Sequence, residues 1–375
     1  MKTYTAFSGI LALLFISCTS TIEEQDENVD LPIDQGTEVN YTIVLENDAI
    51  FSSEVFHADR IEIKQGETNP FAAMGAAQFT YQDVFSMSFY RKNEDCSHEI
   101  ARYDFDTGQS QTRGMLSDRD ACNLTVSAIA HANDMAYMGY ALMDQNGAET
   151  SFFVRKQGFL ESTFVDISLD GNPLSMLFSK NRLFVFSINE NTTDHVLMVV
   201  DLMNDSIEAR INLGQGAKQQ FLNREGNVIV AYDDLHLVIN AETLNTDSQE
   251  RYKEDVAPNF ANTGSAFFDE DDNLYFQRPS GTGVPLIPAF YNFNTNTTVL
   301  YFYENFLSSE QLETRFKIGT TTVVAYDSKN DLILIGYTKS DNASKGGLLR
   351  IAPSREIAFL DNTDFDGVPY HIYIE

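Results

Sequence analysis

The sequence predicts an all-β protein, a seven-bladed β-propeller of four-stranded antiparallel blades, and three observations predict it. The first is the stretch 179–214, SKNRLFVFSINENTTDHVLMVVDLMNDSIEARINLG, where three runs rich in β-branched and aromatic residues are separated by polar turns. The second is its recurrence. The first apolar residue after the turn joining the first two strands of each unit falls at Tyr41, Val84, Met135, Leu183, Val228, Leu274 and Leu332. Their separations of 43, 51, 48, 45, 46 and 58 residues match propeller blades. The third concerns the ends: no apolar strand precedes Tyr41, and the strand-like GVPYHIYIE at 367–375 has nothing after it. Docking the last strand as the innermost strand of the first blade closes the ring and removes two bare sheet edges.

Taken in order, the chain begins with a targeting segment, 1–17. Lys2 supplies the positive start, ILALLFI at 10–16 is an apolar core too short to span a bilayer, and Ser17-Cys18 places a small residue before a cysteine. This resembles a bacterial lipoprotein signal, with Phe15 where that family usually has Leu, and implies that Cys18 becomes the lipidated first residue. Residues 18–38 carry acids and no aromatic residue, so they are expected to form a disordered tether. Acids soon after the cysteine resemble the surface-export signal of Bacteroidota lipoproteins, which implies an outer-membrane lipoprotein displayed on the cell surface.

The propeller is expected over 39–375. Apolar first strands precede polar turns at HAND, SKN, NREGN, DEDDN and DSKND, and more weakly at Gln82-Asp83. Third strands recur as IARYDFDTG, LMVVDLMND, LVINAETL and FYNFNTNT. These stretches, VVDLMNDSIEARINLG most closely, resemble the propeller repeats called YVTN-like. The long interval before Leu332 holds FLSSEQLETRF at 306–316, where Ser309 is placed to cap a short helix.

Charge narrows the partners. The 375 residues carry 25 Lys and Arg against 55 Asp and Glu, a formal charge of −30, which repels nucleic acid and an anionic membrane surface. Membrane contact is therefore expected through the lipid anchor only, and the propeller is expected to be monomeric. In an exported chain Cys96 and Cys122 are left as a pair in polar loops on one face, either disulfide-bonded or as two unpaired thiols. The absence of Trp argues against Trp-based blade signatures.

No catalytic residues, metal ligands or cofactor motif stand out. The six histidines show no metal-ligand spacing, and the acidic stretch Asp269-Glu270-Asp271-Asp272-Asn273 lacks the glycine and distal glutamate of an EF-hand, so it reads as a hairpin turn.

The site argument is topological. Second strands end on the rim that also carries the links between blades, and their ends bring Tyr90, Arg91, Lys92, Tyr140, Arg278, Tyr337 and Lys339 to it. Such cations flanked by aromatic residues suit an anionic, ring-bearing ligand; the plainer reading is surface charges paired with nearby acids. Asn69-Pro70-Phe71, Pro258-Asn259-Phe260 and the Gly/Pro-rich stretch 279–288 feed the same rim, the last placed to lie over the pore.

The leading expectation is a surface lipoprotein that captures a small anionic ligand for an outer-membrane transporter. Its layout is similar to Bacteroidota propeller lipoproteins implicated in ferric siderophore capture. The alternatives are a protein-binding propeller, adhesin or scaffold, and a glycan-active enzyme. Adjacent Asp233 and Asp234 point to opposite faces of a strand and make a poor catalytic pair.

Overall fold

The computed structural model describes residues 36–66, 76–189, 191–253, 257–259, 263–281, 283–353 and 357–375. The signal and Cys18, nearly all of the tether, Asn69-Pro70-Phe71 and Phe260 lie outside them. Among the described residues no helix is long and apolar enough to cross a membrane.

Seven four-stranded antiparallel sheets form seven blades. Blade 1 is made from both ends of the chain: its innermost strand is the C-terminal Val368–Ile374, followed outward by Val39–Asn47, Ile50–Ala58 and Ile63–Gln65. The other six are sequential, with innermost strands Phe79–Gln82, Leu124–Ala132, Asn172–Ser179, Gln219–Leu222, Ala266–Phe268 and Ile318–Asp327. The closing pairing runs from Tyr41 opposite Ile374 to Glu46 opposite Val368.

Second strands are buried on both faces, against the blade before and the blade after. That is why Val228–Ala231 and the start of Leu332–Lys339 read as unbroken apolar runs rather than as alternation. Outer strands have one wet face, and Ser206–Gly214 alternates exposed and half-buried residues along most of its length. Gly336 marks a tight junction: a Cβ there would come within 2.5 Å of the Val323 side chain and 2.7 Å of Pro369 on the closing strand. The SKN turn has Lys180 and Asn181 both at positive φ, 49° and 60°, the conformation of a two-residue hairpin loop.

Two details differ from the sequence expectation. Val84 does not start a second strand; it is exposed in the turn before Ser86–Lys92, because Asp83 Oδ1 accepts the N–H groups of Phe85 and Ser86 and holds the chain in a loop for two more residues. Ser309 caps nothing. The single π-type turn Glu310–Arg315 is preceded by a reciprocal pair, in which Gln311 N–H donates to Ser308 Oγ at 3.2 Å and Ser308 N–H donates to Gln311 Oε1 at 2.9 Å.

Candidate functional site

In an antiparallel blade the second-to-third turns and the links between blades share one rim, while the first-to-second and third-to-fourth turns share the other. The seven rim residues expected from the sequence sort into two groups.

The tyrosines are core. Tyr90, Tyr140 and Tyr337 are sealed between blades, because a second strand is covered on both faces until its last residue or two. Tyr337 OH donates to Asn362 Oδ1 at 2.7 Å. Tyr90 OH lies 2.6 Å from His98 Nδ1, and His98 Nε2 donates to the Ala121 carbonyl at 3.0 Å. That carbonyl fixes the tautomer, so His98 accepts from Tyr90; burial lowers the His98 pKa and keeps the ring neutral. Tyr140 OH faces Asp166, and burial, with that carboxylate, raises its pKa to about 12. None of the three rings is available to stack on a ligand.

The cations reach the surface, and two are already paired. Arg91 contacts both carboxylate oxygens of Glu99 at 2.9 and 3.0 Å, and Lys339 meets Asp364 at 2.7 Å. Lys92 and Arg278 make no ion pair among the described residues. Arg278 is half-buried at the end of Asn273–Pro279, its Nε donating to the Ala257 carbonyl at 3.2 Å. The loop after it does not simply cover the pore: Val284 is buried in the core shared by blades 6 and 7.

Beside this rim, Cys96 and Cys122 form a disulfide that ties a blade 2 hairpin to the link into blade 3, next to the His98–Ala121 bond. Asp118, on the same link, joins a network centred on buried Arg155 of blade 3. Arg155 donates to Asp166 through Nε at 2.8 Å and also pairs with Asp118, while Phe164 lies 3.9 Å under the guanidinium.

Other readings narrow in the same way. Asp233 meets Lys218 at 3.5 Å and Asp234 pairs with Arg251, so both acids already face a cation. Asp269 organises its own turn, accepting from the N–H groups of Asp271 and Asn273 at 2.9 Å and from Tyr275 OH at 3.1 Å. No group of three or more metal-ligating side chains occurs among the described residues.

Sequence reasoning missed one constellation. Ser86 Oγ and Asp83 Oδ2 lie 2.6 and 2.8 Å from His131 Nε2, and Ser88 Oγ lies 2.7 Å from Nδ1. Burial raises the Asp83 carboxyl, but bonds from His131 and from backbone N–H groups outweigh it and hold the pKa below its ordinary value. Acid and hydroxyl share one ring nitrogen, and both serines are sealed, so the set cannot relay a proton to a substrate; it pins blade 2 to blade 3. The open groove of about 620 Å³ lined by Glu38, His57, Asp59, Glu62 and Lys329 is on the opposite rim and is too acidic to receive an anion.

No family model matches the chain, and no curated protein matches its sequence. Solved structures do. A putative 6-phosphogluconolactonase from Bacteroides fragilis superposes with a TM-score of 0.50 at 8% identity, covering 90% of this chain and 98% of that one. A second putative 6-phosphogluconolactonase, from Bacteroides uniformis, gives 0.43 at 10% identity over 77% and 84%. Dipeptidyl peptidase 4 of Porphyromonas gingivalis gives 0.48 at 10% identity, and this chain, 89% of it covered, spans about half of that protein, 53%. At these identities the likeness is one of fold alone.

Proposed function

We propose that this propeller is a lipid-anchored capture protein that binds a small anionic ligand of the ferric siderophore class and delivers it to an outer-membrane transporter. The observation that carries the reading is Arg278. In a chain of net charge −30, a half-buried guanidinium that faces no carboxylate among the described residues is where an anion gains most. Lys92, on the same rim, adds a second charge without an ion-pair partner.

Titration of the protein against a panel of ferric siderophores tests the reading. Arg278→Ala is expected to weaken binding by roughly 1.5–3 kcal/mol, about tenfold or more in Kd. Arg224→Ala is the control: its side chain is on the opposite rim, 3.8 Å from Glu270. Arg119, by contrast, is tied to Asp166 at 2.7 Å, and its removal would disturb the Arg155 network. Equal losses in the two variants, or no binding by the parent protein, would overturn anion capture and leave a protein-binding propeller as the reading to pursue.

A further inference from the structure

Apolar side chains crowd the hairpin tips of one sector. Ile61 (46% exposed), Val84 (72%), Phe85 (54%), Leu160 (78%) and Met203 (84%) all occupy turns on the rim opposite Arg278, in blades 1 to 4. Ile61, Leu160 and Met203 sit between third and fourth strands, and Val84 and Phe85 between a first and a second. The first-to-second turns of blades 3 to 7, HAND, SKN, NREGN, DEDDN and DSKND, are polar, and in the third-to-fourth turns of blades 5 and 6 the apolar residues Leu244 and Phe293 are half-buried rather than exposed.

The chain enters the propeller on this same rim. Thr37 N–H donates to Asn330 Oδ1 at 2.7 Å and its carbonyl accepts from Asn330 Nδ2 at 2.8 Å, in a first-to-second turn of blade 7. Gly36 lies against Arg60, next to Ile61. Whatever precedes residue 36 therefore leaves from the face that bears the apolar tips. Gly36 lies eighteen positions after Cys18, which keeps an anchor at Cys18 within about 65 Å of this face even at full extension.

We infer that this face rests on a lipid bilayer, with the tips of blades 1 to 4 in the interfacial zone and the Arg278 rim turned away from it. The inference builds on the lipid-anchored reading and extends it, because contact is then made by the protein surface as well as by the anchor. Separate projecting side chains suit the headgroup and acyl boundary, some 5–10 Å deep, better than they suit a protein partner, whose hot spots need packed pockets. Exposed Asp134 and Glu161 on the same rim favour neutral over anionic headgroups.

The absence of Trp makes the test clean. Chains starting at Cys18, with the other two cysteines in the disulfide, are coupled through that thiol to a maleimide lipid in phosphatidylcholine vesicles whose acyl chains are brominated. Leu160→Trp and Met203→Trp are expected to show blue-shifted emission, with at least a third of it quenched by bromine. Ile50→Trp, in a second-to-third turn on the other rim, should be unaffected. Val84→Trp repeats the measurement in blade 2 if either variant fails to fold. Quenching at positions 160 and 203 no greater than at 50, including none at all, overturns the inference. Because the anchor is supplied chemically, that result is independent of whether cells lipidate Cys18; detergent-phase partition of the native protein against Cys18→Ala decides the latter.

Discussion

Two blade junctions solve the same packing problem differently. Blades 4 and 5 meet through apolar side chains, among them Phe184, Phe186, Val199, Val228 and Val230, all buried. Polar bridges there end mostly on backbone carbonyls: Ser179 Oγ donates to Gly226 at 2.7 Å, Arg182 to Ala241 and Glu242 at 2.7 and 3.0 Å, and Tyr232 OH to Leu213 at 2.9 Å, while Gln220 Nε2 donates to Ser175 Oγ at 3.0 Å. Blades 7 and 1 also share an apolar layer, but there a buried carboxylate and a buried guanidinium are set beside it. Tyr41 OH donates to Asp327 Oδ2 at 2.6 Å. Arg350, fully buried, donates to the Asp59 carbonyl while Asp361 holds its other edge at 2.6 and 2.9 Å.

The difference follows from chain connectivity. Blade 5 is delivered to blade 4 by a four-residue link, Gln215 to Lys218, and apolar burial with bonds to backbone carbonyls then suffices. Blade 1 must be found by residues nearly 300 positions away, and a one-residue slip of the closing strand would turn its side chains to the wrong face. Bonds of fixed direction specify that register where proximity cannot. Burial and the Asp327 carboxylate hold the Tyr41 phenol far above its usual pKa, so the donor stays protonated at any working pH.

The largest expected effect breaks the closing junction outright. Deleting 370–375 removes most of the strand paired with Val39–Asn47, and the variant should aggregate or lose its cooperative melt. A melt matching the parent would mean the ring closes without this strand. Next comes Phe184→Ala in the apolar junction, expected to cost about 3–5 kcal/mol in urea unfolding. Tyr41→Phe at the closing junction should cost less, about 1–3 kcal/mol, since only the hydroxyl is lost and the Asp327 oxygen keeps its bond from Asn330 at 2.9 Å. Equal costs would erase the distinction between burial and direction.

The smallest effect is visible only in acid. Burial in an aromatic box of Tyr252, Tyr291 and Phe293 lowers the His236 pKa to about 4, and its Nδ1 has no hydrogen-bond partner among the described residues. The unfolded ring titrates near 6.5, so between pH 6.5 and 4 the unfolded state binds the extra proton and stability falls as pH falls. His236→Phe should match the parent at pH 7.5 and show a shallower loss of Tm across that window; parallel pH profiles would show that other groups carry the acid sensitivity.

The fold was legible because propeller blades write themselves into sequence twice, as apolar runs and as turns at regular intervals. Even the closing strand could be read, from an end with a strand too many and an end with one too few. The site was less legible. Tyr90, Tyr140 and Tyr337 look like rim residues when counted from the strand end, but sequence does not say where the neighbouring blade stops covering the strand. Nor does it pair charges: Lys339 is neutralised by Asp364 from the outer strand of its blade. Ser308 and Ser309 are equal candidates for a cap until the position of Gln311 separates them.

The clamp on Thr37 has a mechanical side. On the lipid-anchored proposal a tether held at a membrane would pull on Gly36, and the strand that follows, Val39–Asn47, is bonded along both edges, to nine residues of Ile50–Ala58 and six of Val368–Ile374. Those hydrogen bonds run across the strand, so tension along it loads them together in shear instead of peeling them one by one. A propeller tugged in that way would meet the load at its double-sided seam.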